Sequence, residues 1–292
     1  MSAQAASPLR PSRPRGRWAG RLFGSFLVLS LLIGFLTLGA LLGQVFFDGY
    51  RWVDAVLFFE PPSADPLIAG AEPAILATIY LGILLLAFTV PLGVGTAIYL
   101  EEYANRNRWY NRLLELNIQN LAAVPSIVYG ILGLAFLVRG LGLGRVLLSG
   151  AMILTLLVLP TVIIAAREAI RAVPDSIRQG AYALGSTKWQ VVWRQVLPAA
   201  TPGIATGSIL GLSRGLGETA PLLLVGALTY VSFNPTLLGD FTALPVQIYQ
   251  WVARPQEEFR TLAAAGIIVL LAILLALNGF AIWIRNRYER RW

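Results

Sequence analysis

Two charged residues stand inside an otherwise apolar run of this 292-residue chain: Arg214 and Glu218 interrupt residues 200–228. Four residues apart on a helix, they share a face and lie within pairing reach. Placing an arginine at the bilayer centre costs roughly 2.5–3.5 kcal/mol on insertion scales, so such a residue faces protein or water. A guanidinium offers paired N–H donors in a planar fork, which suits two oxygens of a tetrahedral oxyanion. Two roles are open. The pair is a satisfied ion pair holding two helices together, or Arg214 lines the path of an anion while Glu218 moderates the attraction so that the ion is not trapped.

Other chemistry is excluded by composition. The chain has no Cys and no His, which removes disulfides, Cys/His zinc sites, thiol catalysis, haem ligation by His and Ser-His or Cys-His charge systems. No catalytic residue and no metal ligand is assigned. The only lysine, Lys188, follows Thr187, so no G-x-x-x-x-G-K-[ST] phosphate loop exists. A chain of this kind takes its energy from a partner, or works passively or on an ion gradient.

The elements around the pair are membrane elements. Of the residues 57% are hydrophobic and 13% charged, against about 25% charged in soluble domains. Mean hydropathy is +0.68. Residues 1–21 read as a disordered basic arm, rich in Ser, Pro, Ala and Arg. Residues 22–47 form a 26-residue run without formal charge, beyond the ~20 that span a bilayer and too long for a signal-peptide core. Further runs lie at 74–100, 113–138, 146–166, 200–228 and 261–284. The expectation is an all-α polytopic membrane protein: six transmembrane helices within a domain of 22–284, then a basic tail at 285–292. Segments 1–21, 101–112, 167–199 and 285–292 hold 17 basic and 5 acidic residues; segments 48–72, 138–145 and 230–260 hold 5 and 8. This positive-inside pattern puts both termini in the cytoplasm. The net charge of +8 is thereby a topology signal, and no nucleic-acid partner is implied.

Within 200–228, Gly203, Gly207, Gly211 and Gly215 recur every four residues, a row that lets another helix approach the backbone. Pro221 weakens the helix just after Glu218. Asn117, Gln119 and Asn120 are read as hydrogen-bonding between helices, and Pro91 and Pro160 as bends. Trp52, Phe58 and Phe59, and Phe241, Tyr249, Trp251 and Phe259, are open to two readings: an aromatic belt or a docking surface for an external partner.

The 167–199 loop is long for a connection. Pro174-Asp175 starts a helix and Gly185 stops it, with Ile177, Ala181 and Leu184 on one face. Ser186 or Thr187 caps a second helix on which Trp189, Val192, Trp193 and Val196 form a stripe, and Pro198 ends it. The loop lies on lipid or contacts a partner.

The stretch from Gln179-Gly180-Ala181-Tyr182-Ala183-Leu184-Gly185 to Val196-Leu197-Pro198 resembles the EAA loop of ABC-importer permeases, with Gln179 where that family has Glu. Residues 121–130, 182–189, 217–223 and 241–249 are similar to phosphate-importer permeases, and the last two resemble the PstA subunits more than the PstC subunits. The resemblance implies an ABC-importer permease fold and a permease subunit, itself no enzyme, of an ATP-driven phosphate importer in the cytoplasmic (inner) membrane that works by alternating access. It implies a PstC-like permease, a PstB-like ATPase dimer that binds the ATP and Mg, and a PstS-like phosphate-binding protein as partners. It implies coupling to the ATPase through Ala181, Tyr182, Ala183, Leu184, Gly185, Ser186 and Lys188, and a translocation pathway at Arg214, Glu218 and Thr219. The alternatives are a permease for another oxyanion such as sulfate or molybdate, or an ion-coupled secondary transporter.

Overall fold

The computed structural model describes residues 17–105, 108–227 and 231–288. The chain divides into two units, residues 1–47 and 48–292. In the first, every described residue belongs to helix α1 (Arg17–Gly49), which ends just beyond it. Residues 17–21, expected in the arm, are helical. No proline follows Pro14 there, and extending a nucleated helix fixes one residue per added bond. Residues 1–16 lie outside the described residues.

In the second unit α2 (Ala55–Phe59) is a short helix capped by Asp54, whose Oδ1 accepts from the Leu57 amide at 3.0 Å. Helix α3 (Glu72–Ile98) continues through a π-helical turn at Tyr99–Tyr103. It is uninterrupted at Pro91. Next come α4 (Trp109–Ala122) and α5 (Ser126–Gly133), the latter extended by a π-helical turn at Leu134–Gly140. Residues 113–138 are therefore not one straight span. The two helices meet at 105°, because Pro125 has no N–H to continue the ladder and drives Val124 out of the helical region.

Helix α6 (Leu147–Arg171) is the centre of the unit, with fifteen buried residues. It packs against both α3 and α9, which also touch each other. Residues 167–171 form its last turn and a half, so the connecting loop is shorter than the expected 167–199. That loop holds α7 (Asp175–Ala183) and α8 (Lys188–Val191). Chain then passes through a π-helical turn at Val192–Val196 into α9 (Leu197–Gly217) without a break. Pro198 does not stop the helix, because the wider turn ahead of it removes the need for its missing N–H. Val191, Val192 and Val196 are buried, whereas Trp189 and Trp193 face outward, 61% and 48% exposed, with ring centroids 5.1 Å apart.

Helix α10 (Ala220–Val225) ends at Gly226, at φ +102°. It is followed by α11 (Leu244–Val252) and α12 (Glu257–Tyr288). The expected tail is helical as far as Tyr288, and residues 289–292 lie outside the described residues. Phe241, Trp251 and Phe259 are fully buried. Trp251 and Phe259 join α11 to α12 in a core with Leu57 and Leu262, so these rings are neither belt nor docking surface. Phe59 and Tyr249 are exposed.

Among the described residues, five helices are long and apolar enough to cross a membrane, and the bent α4–α5 pair makes a sixth. Contacts identify that pair as one crossing. Glu115 of α4 meets Arg167 at the C-terminal end of α6, while the carbonyls of Leu137 and Val138 accept from Leu143 and Gly144, just before the start of α6. The end of α6 that carries α7 and α8 is the loop pole; the other end is the far pole.

Candidate functional site

Helix α9 lies on α6 along its glycines. A Cβ added at Gly203 would meet the Ala169 Cβ at 2.6 Å, one at Gly207 would clash with the Ala165 Cβ, and one at Gly211 would meet Val158 and Val162 at 2.8 Å. At Gly215 it would meet Val158 and Leu85, again at 2.8 Å. The row also fixes depth. Gly203 sits beside the last turn of α6, and Gly215 beside Val158, close to the middle of that helix. Arg214, one residue earlier, therefore lies about halfway between the poles.

The helix stops there. Pro221 cannot donate to the Gly217 carbonyl, and the ladder is cut. Glu218 is extended (φ −80°, ψ 114°), its amide bonding only to Gly215 O at 3.2 Å, and α10 restarts after Thr219. The span expected at 200–228 is thus two helices with a gap at Glu218 and Thr219. Non-helical backbone at membrane depth is tolerated where it is covered by protein or lines a watery cavity.

Arg214 is in the last turn of α9, where a cation complements the helix dipole. Its Nε is 3.7 Å from Glu218 Oε1, with the side chains 49% and 22% exposed. That distance is an ion pair without a hydrogen bond. The pair links α9 to its own cap and not to a neighbouring helix, so the helix-tying role does not fit the geometry. Thr219 is half-buried beside it.

The second break lies against the first. A Cβ at Gly130 of α5 would meet Pro221 Cα at 2.8 Å and Leu224 at 2.9 Å. The Tyr129 hydroxyl donates to the Leu121 carbonyl (2.8 Å) at the end of α4, which also accepts from the Val124 amide (3.1 Å). Two broken helices, one arginine and one carboxylate thus meet at mid-depth. Charge ahead of a proline marks one break in the sequence; the close approach of Gly130 to Pro221 and Leu224 has no sequence signal. Asn117, Gln119 and Asn120 are exposed, and the Asn117 amide donates to its own helix at Leu113 O (2.8 Å).

At the loop pole Gly185 adopts φ +79° and turns α7 into α8. Thr187 and Gln190 form a capping box. Ala181 is buried, but Leu184, expected on the same face, is 89% exposed. Tyr182, Ala183, Gly185 and Lys188 are also exposed, and Ser186 is half-buried. The Lys188 ammonium lies over the Tyr103 ring, 4.9 Å from its centroid. A small apolar knob therefore projects from the bundle.

The same pole holds an ion network that the sequence does not reveal. Glu101 and Glu102, in the π-helical turn of α3, have side chains 3% and 8% exposed. Glu101 Oε1 accepts from Arg167 Nε (2.9 Å) and Arg171 Nη2 (2.8 Å), and Arg167 Nη2 also donates to Glu115 Oε1 (3.0 Å). Glu102 Oε1 accepts from Arg178 Nε (3.1 Å) and Nη2 (2.9 Å). These partners are 66 to 76 residues apart, Glu115 excepted at 52.

A gapped bundle with a projecting two-helix loop is the architecture of an importer's membrane subunit. The chain belongs to the family of binding-protein-dependent transport system inner membrane components, whose profile matches residues 89–291; it is a multi-pass inner-membrane transport component. Among its relatives is the phosphate transport system permease protein PstA of Mycobacterium leprae, 31% identical over 97% of this chain and 94% of that protein. The PstA protein of Yersinia pestis is 33% identical over 90% of this chain and 85% of that protein. The fold is similar to that of a bacterial alginate ABC transporter solved with its alginate-pentasaccharide-bound periplasmic protein. There the TM-score is 0.62 at 18% identity, covering 93% of this chain and 98% of that chain.

Proposed function

We propose that this chain is a permease subunit of an ATP-driven phosphate importer. The observation that carries the reading is Arg214: a half-exposed guanidinium at mid-depth, in a helix gap, in a chain whose relatives include proteins named as phosphate permeases. Its planar fork presents paired donors to two phosphate oxygens. The loose contact with Glu218 leaves those donors accessible and tempers the attraction, so the ion is released. Thr219 offers a hydroxyl in the same gap.

The subunit pairs with a PstC-like permease, which completes the pathway. Arg-rich segments at the loop pole support a cytoplasmic placement of that pole and of both termini. A PstB-like ATPase dimer holds ATP and Mg and receives the knob formed by residues 181–188. A PstS-like protein delivers phosphate at the far pole. Receptor docking and ATP binding bias one equilibrium between two access states, and hydrolysis resets it.

The test is uptake of labelled phosphate into proteoliposomes holding the full complex. Uptake that requires ATP and the binding protein, and that resists excess sulfate or molybdate, is the expected result. Uptake that is blocked by those anions, or that follows an ion gradient without ATP, refutes the reading.

A further inference from the structure

Arg178 is the one α7 side chain that reaches back into the bundle with its whole donor fork. Besides its two bonds to Glu102, it donates from Nη1 to the Val173 carbonyl (2.6 Å) and from Nη2 to the Ile170 carbonyl (2.9 Å). Those carbonyls lie at and just beyond the C-terminal end of α6, and the Ile170 carbonyl also accepts from the Val173 amide (3.3 Å). One guanidinium therefore bonds α7, the end of α6 and the end of α3. It is only 16% exposed. Glu101 repeats the pattern one residue earlier, gripping Arg167 and Arg171 of α6. The π-helical turn at Tyr99–Tyr103 places these consecutive carboxylates in the same packed pole.

We propose that Glu102 and Arg178 are positioning residues for energy coupling: they clamp α7 to α3 and α6, so that a displacement of the loop moves the bundle and is not absorbed in residues 172–174. The proposal rests on the importer reading above for its functional half. Buried pairs of this kind cost desolvation and add little net stability, but removing one partner leaves the other charge uncompensated. A surface pair would not resist displacement. Arg178 has one for comparison: Asp175 Oδ1, 3.2 Å away and 84% exposed.

The experiment compares wild type, Glu102→Gln, Arg178→Lys and Asp175→Asn in the full complex, with two readouts. Hydrogen exchange of amides 175–183 reads the clamp whatever the substrate. Phosphate delivered per ATP hydrolysed reads coupling. In Glu102→Gln, exchange in α7 is expected to rise about tenfold, and phosphate per ATP to fall severalfold while hydrolysis continues. Arg178→Lys should lie between, and Asp175→Asn should match wild type. Unchanged exchange in Glu102→Gln overturns the clamp. Faster exchange at an unchanged phosphate-to-ATP ratio overturns its role in coupling, as does an equal effect from Asp175→Asn. If Glu102→Gln does not assemble, wild-type values in Arg178→Lys overturn the proposal. A wild-type complex that moves no phosphate refutes the importer reading instead, and the exchange measurement still decides the clamp.

Discussion

Substituting Gly207 by Ala tests the packing that sets the depth of Arg214. The added methyl would overlap the Ala165 Cβ, with the Ala165 Cα 3.5 Å away. Carbon atoms in contact sit about 3.5–4.0 Å apart, so α6 and α9 must separate by more than ~1 Å. Both are backbone-anchored, and no flexible side chain can turn aside. Overpacking of this kind costs about 1–3 kcal/mol. Alanine recovers up to about 1 kcal/mol in helix propensity, so at full recovery the net loss is about 0–2 kcal/mol, and the deficit relative to an unobstructed Gly→Ala is about 1–3 kcal/mol. Gly95→Ala and Gly279→Ala, which meet nothing within 4 Å, should show only the gain. The assay is denaturant or thermal unfolding of the purified permease in detergent, run as a double-mutant cycle with Ala165→Gly. Removing that methyl should restore most of the loss, giving a coupling energy of about 1 kcal/mol or more. A coupling energy near zero, or a Gly207→Ala no less stable than Gly95→Ala, would refute the close contact and with it the depth assigned to Arg214.

Two further outcomes follow from other contacts. Tyr129→Phe removes the donor to the Leu121 carbonyl and should cost about 1 kcal/mol, seen as faster hydrogen exchange at residues 123–128; unchanged exchange there would contradict its role in closing the α4–α5 bend. Leu184→Asp alters a side chain that is 89% exposed and should leave the unfolding midpoint of the subunit within about 0.5 kcal/mol of wild type while sharply lowering co-purification of the ATPase. Retained co-purification would remove the knob from the proposed interface.

Much of this architecture is legible in the chain. A glycine at every fourth residue and the apolar runs at 22–47, 74–100, 146–166 and 261–284 are visible because a helical period and a bilayer thickness each leave a local pattern. Pro125 and Pro221 mark the two breaks, although the proline at 125 lay in a run that looked continuous. By contrast, Pro198 signals a stop that a π-helical turn cancels, and of the expected stripe only Val192 and Val196 are buried while Trp189 and Trp193 are exposed. Trp251 and Phe259 have the composition of a membrane belt, but helix α11 folds them into a core. The ion network at the loop pole is invisible because Glu101 and Glu102 meet Arg167 and Arg178 only through the tertiary packing of α3 against α6. In the sequence those residues read as loop charge.

The central role assigned to Arg214 is tested most directly by ATP-dependent phosphate uptake in proteoliposomes, comparing Arg214→Ala with wild type and measuring ATP hydrolysis on the same samples. An anion-pathway role predicts an assembled complex that still hydrolyses ATP and loses at least about tenfold of its uptake, the scale on which ~1.4 kcal/mol acts. Uptake at the wild-type rate in Arg214→Ala would contradict it.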